Sequence, residues 1–382
     1  MKYARRILCL ILTAVFVLGC VPAGAAGYVD ERFTDKSWEE VIDDFFTQHN
    51  IDPARVSLGY YNTVSGETHF HNGDQYRVAG SMYKVALTMY WAEKLYLGEI
   101  DWEERFLGVD FKRAQEWTII NSDNDYAAAM FEKIGTYRQY REAVAHFYGE
   151  DPDTVDKKYY ENNFSTAEQI IHCLKMLWEE PERYPNVLDL MKQAEPERWF
   201  NTGSTPYDIA QKYGYIVDDS GSFINSCGIV YTDDPIILVM FTCNVSDADL
   251  RLGDYCDLMA DYTQYHRPLR LMQEEADRLA AEAEAKRLAE EEAKRLEEEA
   301  RLAAEEEARR LAEEEAARLA AEEAAQRLAA LEAEHAAQAA AQAEEAADAT
   351  NPAGLLVVSA LALIALLALV FLRRRQTVGT RR

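Results

Sequence analysis

Apolar and polar positions change period along the chain, and each change predicts an element. Trp38–His49 places its apolar residues at helical spacing, so a first amphipathic helix is expected there. Val56–Asn62 and residues 67–71 alternate instead, and Ser65-Gly66 between them is a hairpin signal. Helical patterns fill the middle, including residues 85–97 (VALTMYWAEKLYL). Residues 208–216, 223–231 and 236–243 read as three further antiparallel strands, with Thr232-Asp233-Asp234-Pro235 as a turn. Residues 247–265 close as a helix. Strands at both ends with helices between them predict a sheet covered by helices, in a domain spanning residues 28–266.

Residues 267–350 follow a different rule. Up to 347 they are almost wholly Ala, Glu, Arg, Leu and Gln, without Gly and with one Pro at the start, Pro268. Those common types are strong helix formers. Glu stands four positions before Lys or Arg at Glu282–Lys286, Glu290–Lys294, Glu297–Arg301, Glu305–Arg309, Glu314–Arg318 and Glu323–Arg327, the favourable orientation. The leucines at 279, 288, 296, 302, 311, 319 and 328 do not repeat every seven residues. They spread around the cylinder and form no continuous seam. A solitary charged helix, a stalk about 120 Å long, is the expectation. Self-association as a loose alanine-based coiled coil is the alternative.

The two ends read as targeting segments. Residues 1–26 join Lys2, Arg5 and Arg6 to a short apolar run and the small residues Ala23-Gly24-Ala25-Ala26, the layout of a signal peptide. Cys20 offers a lipidation site as the alternative to plain cleavage. Residues 353–372 form a candidate transmembrane helix. Its uncharged run from 355 onward spans about 27 Å, close to a bilayer core. Arg373, Arg374 and Arg375 open a basic tail, residues 373–382, which places the C-terminus in the cytoplasm and the bulk of the chain outside. Asn351-Pro352-Ala353-Gly354 resembles a sortase signal but lacks the threonine that a sortase attacks, so a retained membrane anchor is expected.

Charge narrows the partners. The chain carries a net −27, and residues 27–266 hold 43 acidic against 20 basic residues, a net of −23. Such a domain repels phosphate backbones, which argues against nucleic acid. Cys173, Cys227, Cys243 and Cys256 follow the signal segment. Export permits disulfides among them, and unpaired core thiols are equally compatible. His69 and His71 alternate on one strand without a companion Asp or Cys at metal spacing, so no metal site is assigned.

The chemistry lies in three motifs in fixed order: Ser81-Met82-Tyr83-Lys84, Ser122-Asp123-Asn124 and Lys212-Tyr213-Gly214. Ser81 stands at the start of a helical run, where peptide dipoles favour developing negative charge. Lys84 is one turn on, on the same face, so its amine is expected to reach the Ser81 hydroxyl. A buried lysine beside another cation loses its proton readily and can serve as a base. Alone, this pair also fits an N-capping serine and a surface lysine. Ser122-Asp123-Asn124 is likewise a good N-cap triplet. Lys212 could be an edge-strand charge, and Gly214 lets a ligand backbone approach closely.

Together with the flanking text, the ordered trio resembles the class A β-lactamase and penicillin-recognising serine hydrolase family. The resemblance covers nearly all of residues 30–266 and none of the stalk. It implies an α/β (α+β) fold, a five-stranded antiparallel sheet flanked by helices with an all-helical subdomain, the site lying between them. By that resemblance Ser81 is the acylated nucleophile, Lys84 its base, and Ser122 passes the proton to the leaving nitrogen. Asn124 holds the acylamide side chain, with Tyr213 and Gly214 in the substrate-binding motif. Lys212 attracts the substrate carboxylate, and the backbone N–H groups of Ser81 and Tyr215 form the oxyanion hole. The implied partner is a β-lactam or a peptidoglycan-peptide small molecule, with no cofactor.

Departures qualify that picture. Tyr213 stands where the family has a Thr or Ser whose hydroxyl binds the substrate carboxylate. The segment between Ser81 and Ser122 is short, which removes part of one cleft wall. The loop before residues 166–178 lacks the Glu-x-x-Leu-Asn pattern whose glutamate activates the deacylating water. Glu150 and Glu161 lie nearby but outside any such motif. The expectation is an extracellular, membrane-tethered serine acyl hydrolase with weak deacylation. The rival is a non-catalytic surface binding or display module on the same fold.

Overall fold

The computed structural model describes residues 30–347 and Leu363. The signal segment, Cys20, the arginine tail and all of the apolar segment 353–372 except Leu363 lie outside the described residues. No helix among the described residues is long and apolar enough to cross a membrane.

The chain opens with α1 (Trp38–His49), then the hairpin β1 (Val56–Asn62) and β2 (Thr68–His71), with Leu58 opposite His71. Ser37 caps α1 in a capping box with Glu40, which fixes where the helix begins. Short β3 (Arg77–Val78) leads into a 3₁₀ turn, Gly80–Tyr83, and then α2 (Lys84–Tyr96). A small pair, β4 (Arg105–Phe106) and β5 (Val109–Asp110), precedes α3 (Phe111–Ile119), α4 (Asn124–Ile134) and α5 (Tyr137–Val144). Short β6 (Phe164–Ser165) pairs with β3, and α6 (Ala167–Glu179) and α7 (Val187–Met191) complete the helical part. The chain then returns through β7 (Ile209–Asp218), β8 (Gly221–Val230) and β9 (Ile236–Thr242). The main sheet has five antiparallel strands in the order β2-β1-β9-β8-β7, so β7 is an edge.

β9 reads as an unbroken apolar run because both faces of the sheet are covered. Ile237, Val239 and Phe241 face a cluster with Ala210, Cys227 and the helical residues Met89, Met130 and Leu174. Ile236, Leu238 and Met240 face the other side, with Trp38, Val41 and Phe45 of α1 and with Leu252, Tyr255 and Met259. Each such fully buried side chain contributes about 1.5–3 kcal/mol. α2 is buried almost all round in its first turns, from Lys84 through Met89, because it runs through the middle of the helical part.

The final helix, α8 (Ala248–Ala347), differs from the expected boundary at 266. It runs through Pro268 without a break, and the compact globular unit extends to Ala276. Pro268 removes one helical N–H. Arg267 and Arg270 on either side hold this stretch down by pairing with Asp234, whose side chain is 5% exposed. The remainder of α8 is a unit of its own, in which the seven leucines from Leu279 to Leu328 are 52–60% exposed. Its ion pairs, such as Arg278–Glu282 and Arg287–Glu284, lie in solvent and each adds little.

Cys173, Cys227, Cys243 and Cys256 are all free thiols, and all but Cys243 are buried. Cys173, Cys227 and Cys256 are thus core thiols, and burial pushes the Cys227 thiol up to about 12.

Candidate active site

The three motifs converge where the edge strand β7 meets the start of α2. Gly80 and Gly214 make that meeting possible. Gly80 has a φ of +58°, and a side chain there would meet Gly214 Cα at 2.9 Å and Tyr215 N at 3.2 Å. A Cβ on Gly214 would fall 2.2 Å from Ala79 O. Other bonds hold the same turn. Asn163 Nδ2 donates to Gly80 O at 2.6 Å, Ala79 N donates to Asn163 O at 2.8 Å, and the buried Asn225 donates to Val78 O at 2.8 Å. Gly214→Ala is expected to push this turn off the strand, at a cost of about 1–3 kcal/mol, with loss of any reactivity at Ser81. Thermal unfolding checks it; an unchanged melting temperature counts against the close approach.

Ser81 sits inside the 3₁₀ turn rather than capping α2, which has no side-chain cap. In a 3₁₀ turn residues three apart eclipse, so Ser81 and Lys84 share a face. The Ser81 hydroxyl makes no hydrogen bond among the described residues. The Lys84 amine, expected to reach it, donates to Ser122 O at 2.6 Å and to Asn124 Oδ1 at 2.7 Å. Lys84 is fully buried rather than a surface residue. Burial lowers its pKa to about 8, with Asp123 pulling the other way.

Ser122 takes the left-handed conformation, φ +53°, which a serine adopts only when its surroundings require it. Asp123 beside it caps α4, accepting from Asp125 N at 2.8 Å and Tyr126 N at 3.1 Å. The triplet thus both starts the helix and turns its serine and asparagine toward Lys84. Ser122 Oγ accepts from Lys212 Nζ at 2.9 Å and lies 3.4 Å from Lys84 Nζ. Two lysines from distant parts of the chain therefore share one hydroxyl. Desolvation and then the Lys84 charge hold Lys212 well below an ordinary lysine.

Lys212 is fully buried. Besides Ser122 it donates to Tyr213 O at 3.1 Å, and its ammonium stands 3.9 Å from the Tyr213 ring centroid. Tyr213 stacks on Trp199 at 4.9 Å and donates to Glu195 Oε1 at 3.4 Å. Glu195, Trp199 and the buried Gln211 are neighbours of the site that sequence reading missed. The signal for Gln211 was a polar residue on the alternating inward face of β7. Nothing in the spacing connects Glu195 to Lys212.

Glu150 accepts from Gln169 Nε2 at 2.8 Å, and Glu161 is exposed. Neither carboxylate is hydrogen-bonded to Lys84 or to Ser81. Among the described residues no group of three His, Cys, Asp or Glu side chains is placed to hold a metal. His69 pairs with Glu67 at 2.8 Å, and His71 lies against Pro53 O at 2.9 Å.

Residues 124–255 match the model of the β-lactamase enzyme family. Solved structures agree on the fold. TLA-3 extended-spectrum β-lactamase is 15% identical with a TM-score of 0.51, over 59% of this chain and 99% of that one. A β-lactamase from Chitinophaga pinensis is 15% identical at 0.50, over 58% of this chain and 98% of that one. An ancestral class A β-lactamase is 14% identical at 0.50, over 58% and 98%. No curated protein matches the chain. The globular part is thus β-lactamase-like in fold, and residues 124–255 also match the family model.

Proposed function

We propose that this β-lactamase-like chain is a serine acyl hydrolase in which Ser81 is acylated by β-lactams or by peptides of the D-Ala-D-Ala type. The observation that carries the reading is the Ser122 hydroxyl shared by the depressed Lys84 and Lys212 next to the turn that bears Ser81. A neutral Lys84 amine has two N–H groups, and Ser122 O and Asn124 Oδ1 accept both. Its lone pair is then left to take a proton.

Ser81 Oγ attacks the amide carbon while its proton passes to Lys84. The carbonyl oxygen becomes an oxyanion beside the N–H groups of Ser81 and Tyr215. The intermediate then collapses with cleavage of the C–N bond. The leaving nitrogen takes the Ser122 proton, and Lys84 returns its own to Ser122. Asn124 and Gly214 line the acyl donor, Asn124 on its acylamide side. The domain works outside the cell on its helical stalk, anchored by the apolar segment near the C-terminus.

The test is intact mass of the ectodomain after exposure to a fluorescent penicillin. An adduct on the native protein that is absent from Ser81→Ala is the expected result. Neither adduct nor drug loss returns the protein to the rival reading, a surface binding or display module. The Tyr213 ring over Lys212 and the unbonded Ser81 hydroxyl are what favour that rival.

A further inference from the structure

Helix α5 carries a charge in the interior that no acid neutralises. Arg141 is fully buried, and among the described residues no carboxylate pairs with it. A lone buried cation is unfavourable, so a buried arginine normally has an acidic partner. Backbone carbonyls take that place here. Arg141 Nε donates to Tyr159 O at 2.8 Å and Nη2 donates to Phe164 O at 3.0 Å. The guanidinium lies 3.6 Å over the Tyr159 ring, and the Tyr159 hydroxyl donates back to Arg141 O at 2.7 Å. Hydrogen bonds from a charged donor are the stronger kind, and a planar fork spans two acceptors that a point charge does not hold together.

The two gripped carbonyls bracket Asn163. Between them, Asn162 O accepts from the hydroxyl of Tyr137, also on α5. Asn162 takes a φ of +44°, so the chain turns there in the left-handed region. Asn163 is left to face the other way. Its side chain donates to Gly80 O at 2.6 Å and its carbonyl accepts from Ala79 N at 2.8 Å. Both bonds end within two residues of Ser81. Phe164 itself pairs with Val78 across β3 and β6, so the gripped segment borders the Ser81 turn on its strand side as well.

Resting on the acyl-transfer reading, we propose that Arg141 is a positioning residue for Ser81, acting through Asn163: it fixes the segment from which Asn163 holds the nucleophile turn. A displacement of about 1 Å at a reacting atom can cost about 10²-fold in rate. Arg141→Gln is neutral, and its single amide nitrogen does not span both carbonyls. It is expected to lower the limiting rate of Ser81 acylation by penicillin about 10–100-fold, read by intact mass on the full chain. The penicillin concentration giving half the limiting rate should stay within about threefold, because the groups that line the acyl donor are untouched. In an Asn163→Ala background the same substitution should cost no more than about threefold further. A full second loss in that background overturns the proposal. So does a limiting rate in Arg141→Gln within about threefold of native.

Hydrogen exchange at the Ala79 amide reads the clamp without any chemistry at Ser81. In the native protein this amide should be protected like those of β9, and in Arg141→Gln it should exchange about tenfold faster or more. Equal exchange in the two proteins overturns the proposal. If Arg141→Gln does not fold, the native protein decides alone, since an Ala79 amide exchanging as fast as an exposed one overturns it too. If native protein neither forms an adduct nor consumes the drug, the acyl-transfer reading fails and the role at Ser81 fails with it, whatever the exchange shows of the clamp.

Discussion

Replacing Lys84 with methionine is expected to slow acylation of Ser81 by about 10²–10⁴-fold, the usual range for a lost general base. Methionine keeps the length and the burial of the side chain but has no lone pair basic enough to take the Ser81 proton. The native pH profile should carry the same signature. Lys84 has a pKa of about 8, and only its neutral form is a base. Acylation should therefore rise about tenfold per pH unit on the acid side of that value and level off above it. In Lys84→Met that rise should vanish. Acylation rates measured from pH 5.5 to 9.5 (about four units across the transition) decide the matter. A variant with native rates and a native profile would remove Lys84 from the chemistry. Loss confined to Lys212→Met would move the base to the other lysine.

The acyl-enzyme, once formed, is expected to persist. Release should be about 10²–10⁴-fold slower than from a site that has a positioned base for water. The carboxylate acting on Lys84 is Asp123, and its Oδ1 is already committed to two backbone N–H groups at the start of α4. Glu150 is engaged by Gln169, and Glu161 faces solvent. The same penicillin adduct, followed by mass after excess drug is removed, should outlast repeated sampling. Hydroxylamine, which needs no general base to attack an ester, should clear it. Prompt recovery of free protein in buffer alone would mean that the site does hold a group that activates water.

Much of this architecture was legible before any coordinates. The period change between 38–49 and 56–71, the three late strands and the order of the motifs all follow from local pattern. Their element bounds agree to within a residue or two. Local pattern fails where an outcome depends on what packs across the sequence. The helix expected to close at 265 continues through Pro268, because Asp234 from a distant turn gathers Arg267 and Arg270. Lys212, read from the sequence as attracting a substrate carboxylate, donates to Ser122 Oγ and Tyr213 O with the Tyr213 ring beside it, contacts that no local pattern predicts.

By itself, then, the sequence determined which residue types are available, in what order, and on which elements they ride. Helix and strand periods and capping residues are properties of neighbours along the chain. Only the tertiary structure decided which charges meet. Lys84 and Lys212 are more than a hundred residues apart, and it is the narrow Gly80–Gly214 contact that brings their strands of chain close enough to share Ser122. Glu195 reaches Tyr213 only because a buried glutamine fixes its loop. Desolvation and Coulomb interaction act through space, so the depressed pKa values of Lys84 and Lys212 come from that packing.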